Sequence, residues 1–396
     1  MGVNKFQFVA QAQAEWQRVE RSRSLHSLLP DDAVHVWRQG RRLLSFSSND
    51  YLGLSKHPAL VAAAQEYTGR YGTSATASRL VVGTYDIHTQ LETQLAVACG
   101  QEAALLFSSG FQANSTILPA LLDRHSLVLC DRLIHNSLLQ GILASGARFV
   151  RYAHNDLEHL HRLLQKHVEK DYSRILIVTE TVFSMDGDRT DLDRLIPLAN
   201  QYNAILYLDD AHALGVLGRH GMGLAAHRDG VDVIVGTFGK AFGAFGAFVA
   251  CSQSVREYLI NTCPGFIYTT ALPPGVVGAI AAALSLIPTL SAERQTLTDH
   301  ADLLRAQLRA LGYDPGASSS HIIPVMVGTE AATLQLSQGL EEHGILATAI
   351  RPPTVAAGTS RLRLALSSQH SADDLDYLIR AIRAVSNSSH ESPNAD

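Results

Sequence analysis

The chain has 396 residues, 46% of them hydrophobic and 17% charged; 32 Lys and Arg stand against 37 Asp and Glu, a formal net charge of −5. That length suits two or three domains with a sizeable core, and the balance excludes intrinsic disorder, a coiled coil and a fibrous protein. A mildly acidic chain with scattered basic residues also argues against a nucleic-acid binder or a membrane-surface protein. In chain order, residues 1–23 predict a polar helix without the apolar core of a signal peptide. Short apolar runs then recur at Ala103–Phe107, Leu127–Cys130, Ile175–Thr179, Ile205–Leu208, Val231–Val235 and Ala247–Cys251. Between many of them lie stretches of helical spacing, such as Asp156–Lys170 and Asp191–Tyr202. The alternation predicts an α/β domain with a mostly parallel sheet covered by helices on both faces. The most apolar run, Ala279–Ile287, is too short to span a bilayer and is followed by Pro288.

From about residue 290 the texture changes. A long helical pattern covers Ser291–Leu311, and His321–Val327 and Arg361–Leu366 follow as strands. The last reads Arg-Leu-Arg-Leu-Ala-Leu, a period of two that predicts a half-buried strand. A helix over Ser371–Val385 closes the pattern. The expected organisation is an N-terminal helix and segment over 1–59, a large domain over 60–289, a smaller α+β domain over 290–386, and a polar, disordered tail over 387–396. Four cysteines, at 99, 130, 251 and 263, form no CxxC pair. They read as reduced, mostly buried thiols of a cytoplasmic protein.

Three segments carry candidate chemistry. The first is Leu105-Leu-Phe-Ser-Ser-Gly-Phe-Gln-Ala-Asn114. A strand there runs into a small-residue turn and a helix start, whose free N–H groups and dipole suit a phosphate. The bland alternative is a junction that needs small residues anyway. The second is Ile205-Leu-Tyr-Leu-Asp-Asp-Ala-His212, with two carboxylates and a histidine at a strand's C-terminal end, where open α/β sheets place ligands. A carboxylate there could hold a positive charge, and His212 could donate to an oxygen. A metal site lacks a third ligand at any obvious spacing; a structural Asp–His pair stays open. The third is Val235-Gly-Thr-Phe-Gly-Lys-Ala-Phe-Gly243. A lysine desolvated among glycines and aromatics loses proton affinity and becomes a usable amine, the alternative being a surface lysine on a turn. It is no P-loop, since Ile234 and Ala241 stand where that motif needs Gly and Ser or Thr. No early G-x-G-x-x-G marks a dinucleotide fold. Together, a phosphate-binding helix start, an Asp–His strand end and a lysine are the parts of a pyridoxal phosphate site.

Over about Ser45 to Ser367 the sequence resembles the α-oxoamine synthases, fold-type I pyridoxal phosphate enzymes of the aspartate-aminotransferase-like architecture. The markers are Phe46-Ser-Ser-Asn-Asp-Tyr-Leu-Gly-Leu54, Thr179-Glu-Thr-Val-Phe-Ser-Met-Asp-Gly-Asp188, Asp209-Asp-Ala-His212 and Thr237-Phe-Gly-Lys240. Ala349-Ile-Arg-Pro-Pro-Thr-Val355, followed by Gly358-Thr-Ser-Arg-Leu-Arg363, resembles the branch that condenses L-alanine with a pimeloyl thioester, losing carbon dioxide. The resemblance implies that Lys240 forms the Schiff base with pyridoxal 5'-phosphate and moves the Cα proton. It implies that Asp209 faces the pyridine nitrogen, that His212 bonds the ring 3-hydroxyl and that His135, in Asp131-Arg-Leu-Ile-His-Asn136, stacks on the ring. It further implies that Ser184 lies by the cofactor, and Thr237 and the Gly110–Phe111 backbone by its phosphate. By the same resemblance Arg351 would hold the amino-acid carboxylate, while Arg23, Asn49, His135 and Thr354 would contact substrate. The family is homodimeric, which implies that Thr270 would reach the neighbour's phosphate. The acyl group comes on coenzyme A or on acyl carrier protein. Alternatives are a sister enzyme using glycine, serine or another acyl thioester, and a non-catalytic subunit with this fold. Two departures from the family stand out: Thr73-Ser-Ala-Thr-Ala-Ser-Arg79 replaces a glycine-rich stretch, and Ala213-Leu214 follows His212 where glycine is usual.

Overall fold

The structure, a computed structural model, describes residues 5–168 and 170–390. The chain divides into two compact units, residues 49–296 and residues 1–48 with 297–396. The N-terminal segment falls in the second of these, with the C-terminal residues. Its strand Arg41–Ser45 pairs in parallel with Ile345–Leu346 of the C-terminal part, a long-range pairing that local sequence does not announce.

The unit 49–296 holds a seven-stranded sheet. Its order is Ala103–Phe107, Ala247–Cys251, Val233–Thr237, Ile205–Asp209, Arg174–Glu180, Ser126–Asp131 and Arg148–Tyr152. Ala247–Cys251 runs against both of its neighbours, Ala103–Phe107 and Val233–Thr237; the other four pairings are parallel. The connection 238–246 explains the exception, because it is shorter than the roughly dozen residues a parallel crossover needs. Every residue of Ala103–Phe107, Ser126–Asp131 and Ala247–Cys251 is buried, which accounts for their unbroken apolar texture. The edge strand Arg148–Tyr152 was not foreseen: its Arg-Phe-Val-Arg-Tyr mixes exposed and buried positions.

Leu105, Val128, Val178, Tyr207 and Val235 form one core with helices Gly110–Leu121 and Asn136–Ser145. The two helices approach closely at Gly141, where a Cβ would lie 2.4 Å from the Asn114 carbonyl. That contact fixes two helix N-termini over the same end of the sheet. Because the parallel strands share a direction, their C-terminal ends lie along one edge. Asp131, Glu180, Asp209 and Thr237 are the last residues of four neighbouring strands.

In the other unit, Ser360–Ala365 lies between Ile322–Gly328 and Thr348–Ile350, antiparallel to both. The period of two predicts a half-buried strand here, but all six residues are buried, Arg361 and Arg363 among them. A central strand covered on both faces overrides the alternation. Ahead of it, Leu29–Pro30, His35–Arg38 and Arg41–Ser45 form an antiparallel meander. The closing helix runs Ala372–His390, past the expected end at 385, and the remaining tail residues 391–396 lie outside the described residues. All four cysteines are free and buried. Among the described residues no single helix is long and apolar enough to cross a membrane.

The segment replacing the family's glycines contains Thr76 at φ 63°, a left-handed conformation that a β-branched residue adopts at a penalty. Thr76 is exposed, so little packing opposes its removal. Thr76→Gly is expected to stabilise the protein by about 1 kcal/mol, offset in part by the freer unfolded chain. Chemical denaturation of both forms measures this, and a lower midpoint for the glycine variant would refute it. Ala213 carries no such penalty: its φ is negative and its methyl is fully buried.

Candidate active site

The helix Gly110–Leu121 follows the strand Ala103–Phe107 with Ser109 as its cap. The Ser109 hydroxyl accepts from Gln112 N–H at 3.1 Å, and its carbonyl accepts from Ala113 N–H at 2.9 Å. The N–H groups of Gly110 and Phe111 are left pointing out of the helix start, where an anion is favoured. A Cβ on Gly110 would sit 3.7 Å from the Thr237 side chain, so the helix start and the end of Val233–Thr237 face each other. The Thr237 hydroxyl donates to the Gly246 carbonyl at 3.0 Å and accepts from Gly239 N–H at 3.3 Å. The helix-start N–H groups fit a phosphate, and the Thr237 hydroxyl joins them if it turns its one proton from the Gly246 carbonyl to the anion.

Asp209 is buried at the end of its strand. Its Oδ2 accepts from the Asn114 amide at 2.7 Å and its Oδ1 from Ala211 N–H at 3.0 Å. Asn114 is itself held, accepting from the Tyr207 hydroxyl at 2.9 Å and donating to Ser137 at 3.0 Å. Ser137 Oγ lies 2.7 Å from His135 Nδ1. One chain of hydrogen bonds thus runs from Tyr207 to the acid and to the histidine. The second acid of the pair has a different task. Asp210 accepts from Thr181 Oγ1, Leu224 N–H and Ala225 N–H, and a Cβ on Gly223, at φ 96°, would collide with it. Burial pushes the Asp210 carboxyl up to about 7 despite these donors. Asp210 folds the 210–225 loop and leaves Asp209 for chemistry.

His135, Asp209 and Lys240 lie within electrostatic reach of one another. Surrounding protein lowers the basicity of His135; Asp209 pulls the other way and Lys240 lowers it further. Glu180, fully enclosed, feels the same groups. Burial and then Asp209 push its carboxyl well above the usual range, while Lys240 draws it down. Its Oε1 has no hydrogen-bond partner among the described residues. Lys240 itself is half-buried in the turn between Val233–Thr237 and Ala247–Cys251. His212 is buried, with Nδ1 2.7 Å from the Tyr51 hydroxyl, which in turn donates to Asn49 Oδ1 at 3.0 Å. Asn49 and His212 are thereby joined through Tyr51. Ser184 lies half-buried on the loop after Arg174–Glu180.

Thr270 is exposed and bridges to Ser78, within the stretch that stands in place of the glycines, whereas the adjacent Thr269 accepts from Gln112 in the first turn of the helix Gly110–Leu121. In the other unit, Arg23, Arg351 and Thr354 line one groove of about 1070 Å³. Arg23 donates to Thr354 Oγ1 at 3.1 Å, and the Arg351 guanidinium is held by the carbonyls of Glu20 and Ser22.

Asn114, Tyr51 and Glu180 are functional candidates that residue-type reasoning passed over, although each sits inside a segment singled out above. Asn114 ends the phosphate segment and Tyr51 and Glu180 lie in family markers; what was missing was the fold that aims them at Asp209 and His212. No cluster of three metal-binding side chains occurs among the described residues.

The family described as aminotransferase class I and II matches residues 41–382, and the chain belongs to it. Within it the chain is a pyridoxal phosphate-dependent acyltransferase of the α-oxoamine synthase group. It is 54% identical over 359 residues to an 8-amino-7-oxononanoate synthase of Gluconacetobacter diazotrophicus, covering 89% of this chain and 90% of that protein. A putative 8-amino-7-oxononanoate synthase of Desulfosudis oleivorans is 50% identical over 96% of this chain and 99% of its own. Among solved structures, the serine palmitoyltransferase of Sphingomonas wittichii superposes with a TM-score of 0.90 at 28% identity, covering 98% of this chain and 99% of that one. The 8-amino-7-oxononanoate synthase of Francisella tularensis gives 0.76 at 29% identity, over 88% of this chain and 99% of that one.

Proposed function

We propose that the protein condenses L-alanine with a pimeloyl thioester, releasing carbon dioxide and the thiol carrier and forming 8-amino-7-oxononanoate for biotin synthesis. The observation that carries this reading is the convergence of Lys240, Asp209 and His135 at the strand ends of a chain half-identical to enzymes of that name. Bound pyridoxal phosphate supplies an electron sink for the substrate Cα. The N–H groups of Gly110 and Phe111 and the Thr237 hydroxyl bind its phosphate, with Thr270 of a second subunit assisting in a homodimer. Asp209 would balance the charge of the ring nitrogen, His212 would hydrogen-bond the ring hydroxyl beside Ser184, and His135 would lie against the ring. The Lys240 amine takes the Cα proton and returns one after carbon dioxide leaves. Arg351 binds the amino-acid carboxylate with its two parallel donors, and Asn49, Arg23 and Thr354 bind substrate. Coenzyme A or acyl carrier protein delivers the acyl group. The four buried thiols suit a reducing cytoplasm.

A sister reaction with serine or glycine is the second reading, favoured by the closer superposition on serine palmitoyltransferases. Sequence identity near twice as high favours the alanine enzyme. The deciding measurement is kcat/KM for the three amino acids with a pimeloyl thioester. One methyl group discriminates weakly, so alanine is expected to lead glycine by about 10- to 200-fold, and serine by a similar factor. Parity, or a lead for either rival, would move the protein to the sister branch. A purified protein that does not take up pyridoxal phosphate at all would instead be a non-catalytic relative.

A further inference from the structure

Asp131 opens the turn that ends in His135, and Asp188 closes the loop that carries Ser184. Both carboxylates are buried, and both bind one imidazole. His154 Nδ1 lies 3.0 Å from Asp131 Oδ1, and its Nε2 lies 2.7 Å from Asp188 Oδ2. A carboxylate only accepts, so each ring nitrogen must carry a hydrogen and the ring is an imidazolium. Burial opposes that charge, but the two carboxylates outweigh it and push the histidine up to about 10. Phe183, from the Ser184 loop, packs edge-on against the ring with centroids 4.4 Å apart.

Asn155 repeats the pattern from the next position. Its N–H donates to Asp131 Oδ2 at 2.8 Å, and its side-chain amide donates to Asp188 Oδ2 at 2.6 Å. It does so from φ 51°, a left-handed conformation that asparagine tolerates better than most residues. Thr190 completes the hub, its hydroxyl 3.1 Å from Asn155 Oδ1 and 2.7 Å from the Glu180 carbonyl. Asp131 also accepts from Leu133 N–H at 2.8 Å, inside the turn that leads to His135.

We propose that His154 is a positioning residue: the Asp131–His154–Asp188 clamp fixes the turn 131–136 and the loop 181–190 against each other, so that His135 and Ser184 are set for the cofactor before it arrives. The proposal rests on the reading that these two residues contact pyridoxal phosphate. Without the imidazolium, two buried carboxylates would face each other, and they must either separate or take up a proton. Either response moves one loop or both.

The test uses the full-length protein and the variants His154→Gln, Asp188→Asn and the double variant. Amide hydrogen exchange is read on the cofactor-free protein, and the dissociation constant of pyridoxal 5'-phosphate by fluorescence quenching. His154→Gln is expected to speed exchange selectively in 131–136 and 181–190 and to weaken cofactor binding by about tenfold or more, since misplacement near an ångström is felt at that scale. The double variant removes the repulsion and should recover at least half of the loss on a logarithmic scale. A His154→Gln protein that melts earlier yet keeps its cofactor affinity within twofold, with exchange raised evenly across the sheet, overturns the proposal. If His154→Gln does not fold, Asp188→Ala decides: it leaves His154 Nε2 without its acceptor, and unchanged exchange and affinity in it overturn the clamp. His135→Ala serves as the control. If it leaves cofactor affinity untouched, the contact reading fails, while the exchange data on the cofactor-free protein still decide whether the clamp orders the loops.

Discussion

Lys240→Ala is expected to abolish condensation while leaving the fold intact. Neighbouring positions offer no amine to replace it: the turn reads Thr237-Phe-Gly-Lys-Ala-Phe-Gly243. A positioned general acid–base alone contributes about 10²–10⁴-fold, and in the proposed reaction this residue both joins the cofactor and moves the proton, so the loss should reach at least the upper end of that range. The turn does not depend on the side chain for its shape. Phe238 N–H donates to the Gly246 carbonyl at 2.9 Å, Ala244 N–H to the Phe238 carbonyl at 2.9 Å and Gly243 N–H to the Lys240 carbonyl at 2.8 Å. Phe238, Ala241 and Phe242 are fully buried and anchor it on either side. The variant should therefore keep its circular dichroism spectrum and still bind the cofactor non-covalently, without the absorbance of the lysine-bound form. Turnover at a tenth of wild type would remove Lys240 from its role.

What the sequence reveals and what it hides divide along a physical line. Strands buried on both faces announce themselves, because no alternation dilutes their apolar runs: Ala103–Phe107 and Ala247–Cys251 coincide with the structure at both ends. Residues with scarce chemistry, such as Lys240 and the Asp209–His212 pair, stand out at the ends of those runs. Partners chosen only by the fold do not. Nothing near Asn114 in the chain marks it as the donor to Asp209, which follows 95 residues later. The pairing of Arg41–Ser45 with Ile345–Leu346 is equally silent, and it lies within the unit that holds both the N-terminal and the C-terminal residues. Ser360–Ala365 shows the converse error. Its alternation of Arg and Leu looks amphipathic, yet all six residues are buried, so neither face of the strand is open. His154 is the clearest case of concealment. A lone histidine before Asn-Asp carries no pattern, and only the folded chain brings Asp131 and Asp188 to its two nitrogens.

Asp209→Asn is expected to keep the fold and lose most of the condensation activity, by a larger factor than His212→Ala. The carboxylate at 209 does two things that an amide cannot. It accepts on both oxygens, from Asn114 at 2.7 Å and Ala211 at 3.0 Å, and in the proposed reaction it offers a negative charge to the ring nitrogen. An asparagine has one oxygen, so one of those donors would meet an NH2 group, and a buried donor without an acceptor costs about 1–3 kcal/mol. Rotating the amide moves the mismatch from one partner to the other without removing it. The charge lost is the more damaging change for catalysis. Removing one preorganised electrostatic partner in a water-poor site typically costs about 10²–10³-fold in kcat, and Asp209 is the buried acid best placed to balance the ring. Glu180 cannot substitute, because burial beside Asp209 favours its neutral form. His212 acts through hydrogen bonds with Tyr51 and Asn49 rather than as the ring's counter-charge, so its removal should cost less, on the order of tenfold. Steady-state kinetics of the two variants with saturating cofactor gives the comparison. If Asp209→Asn retains as much kcat as His212→Ala, the charge at 209 is not what stabilises the reacting carbon, and a different group at the strand ends must do so.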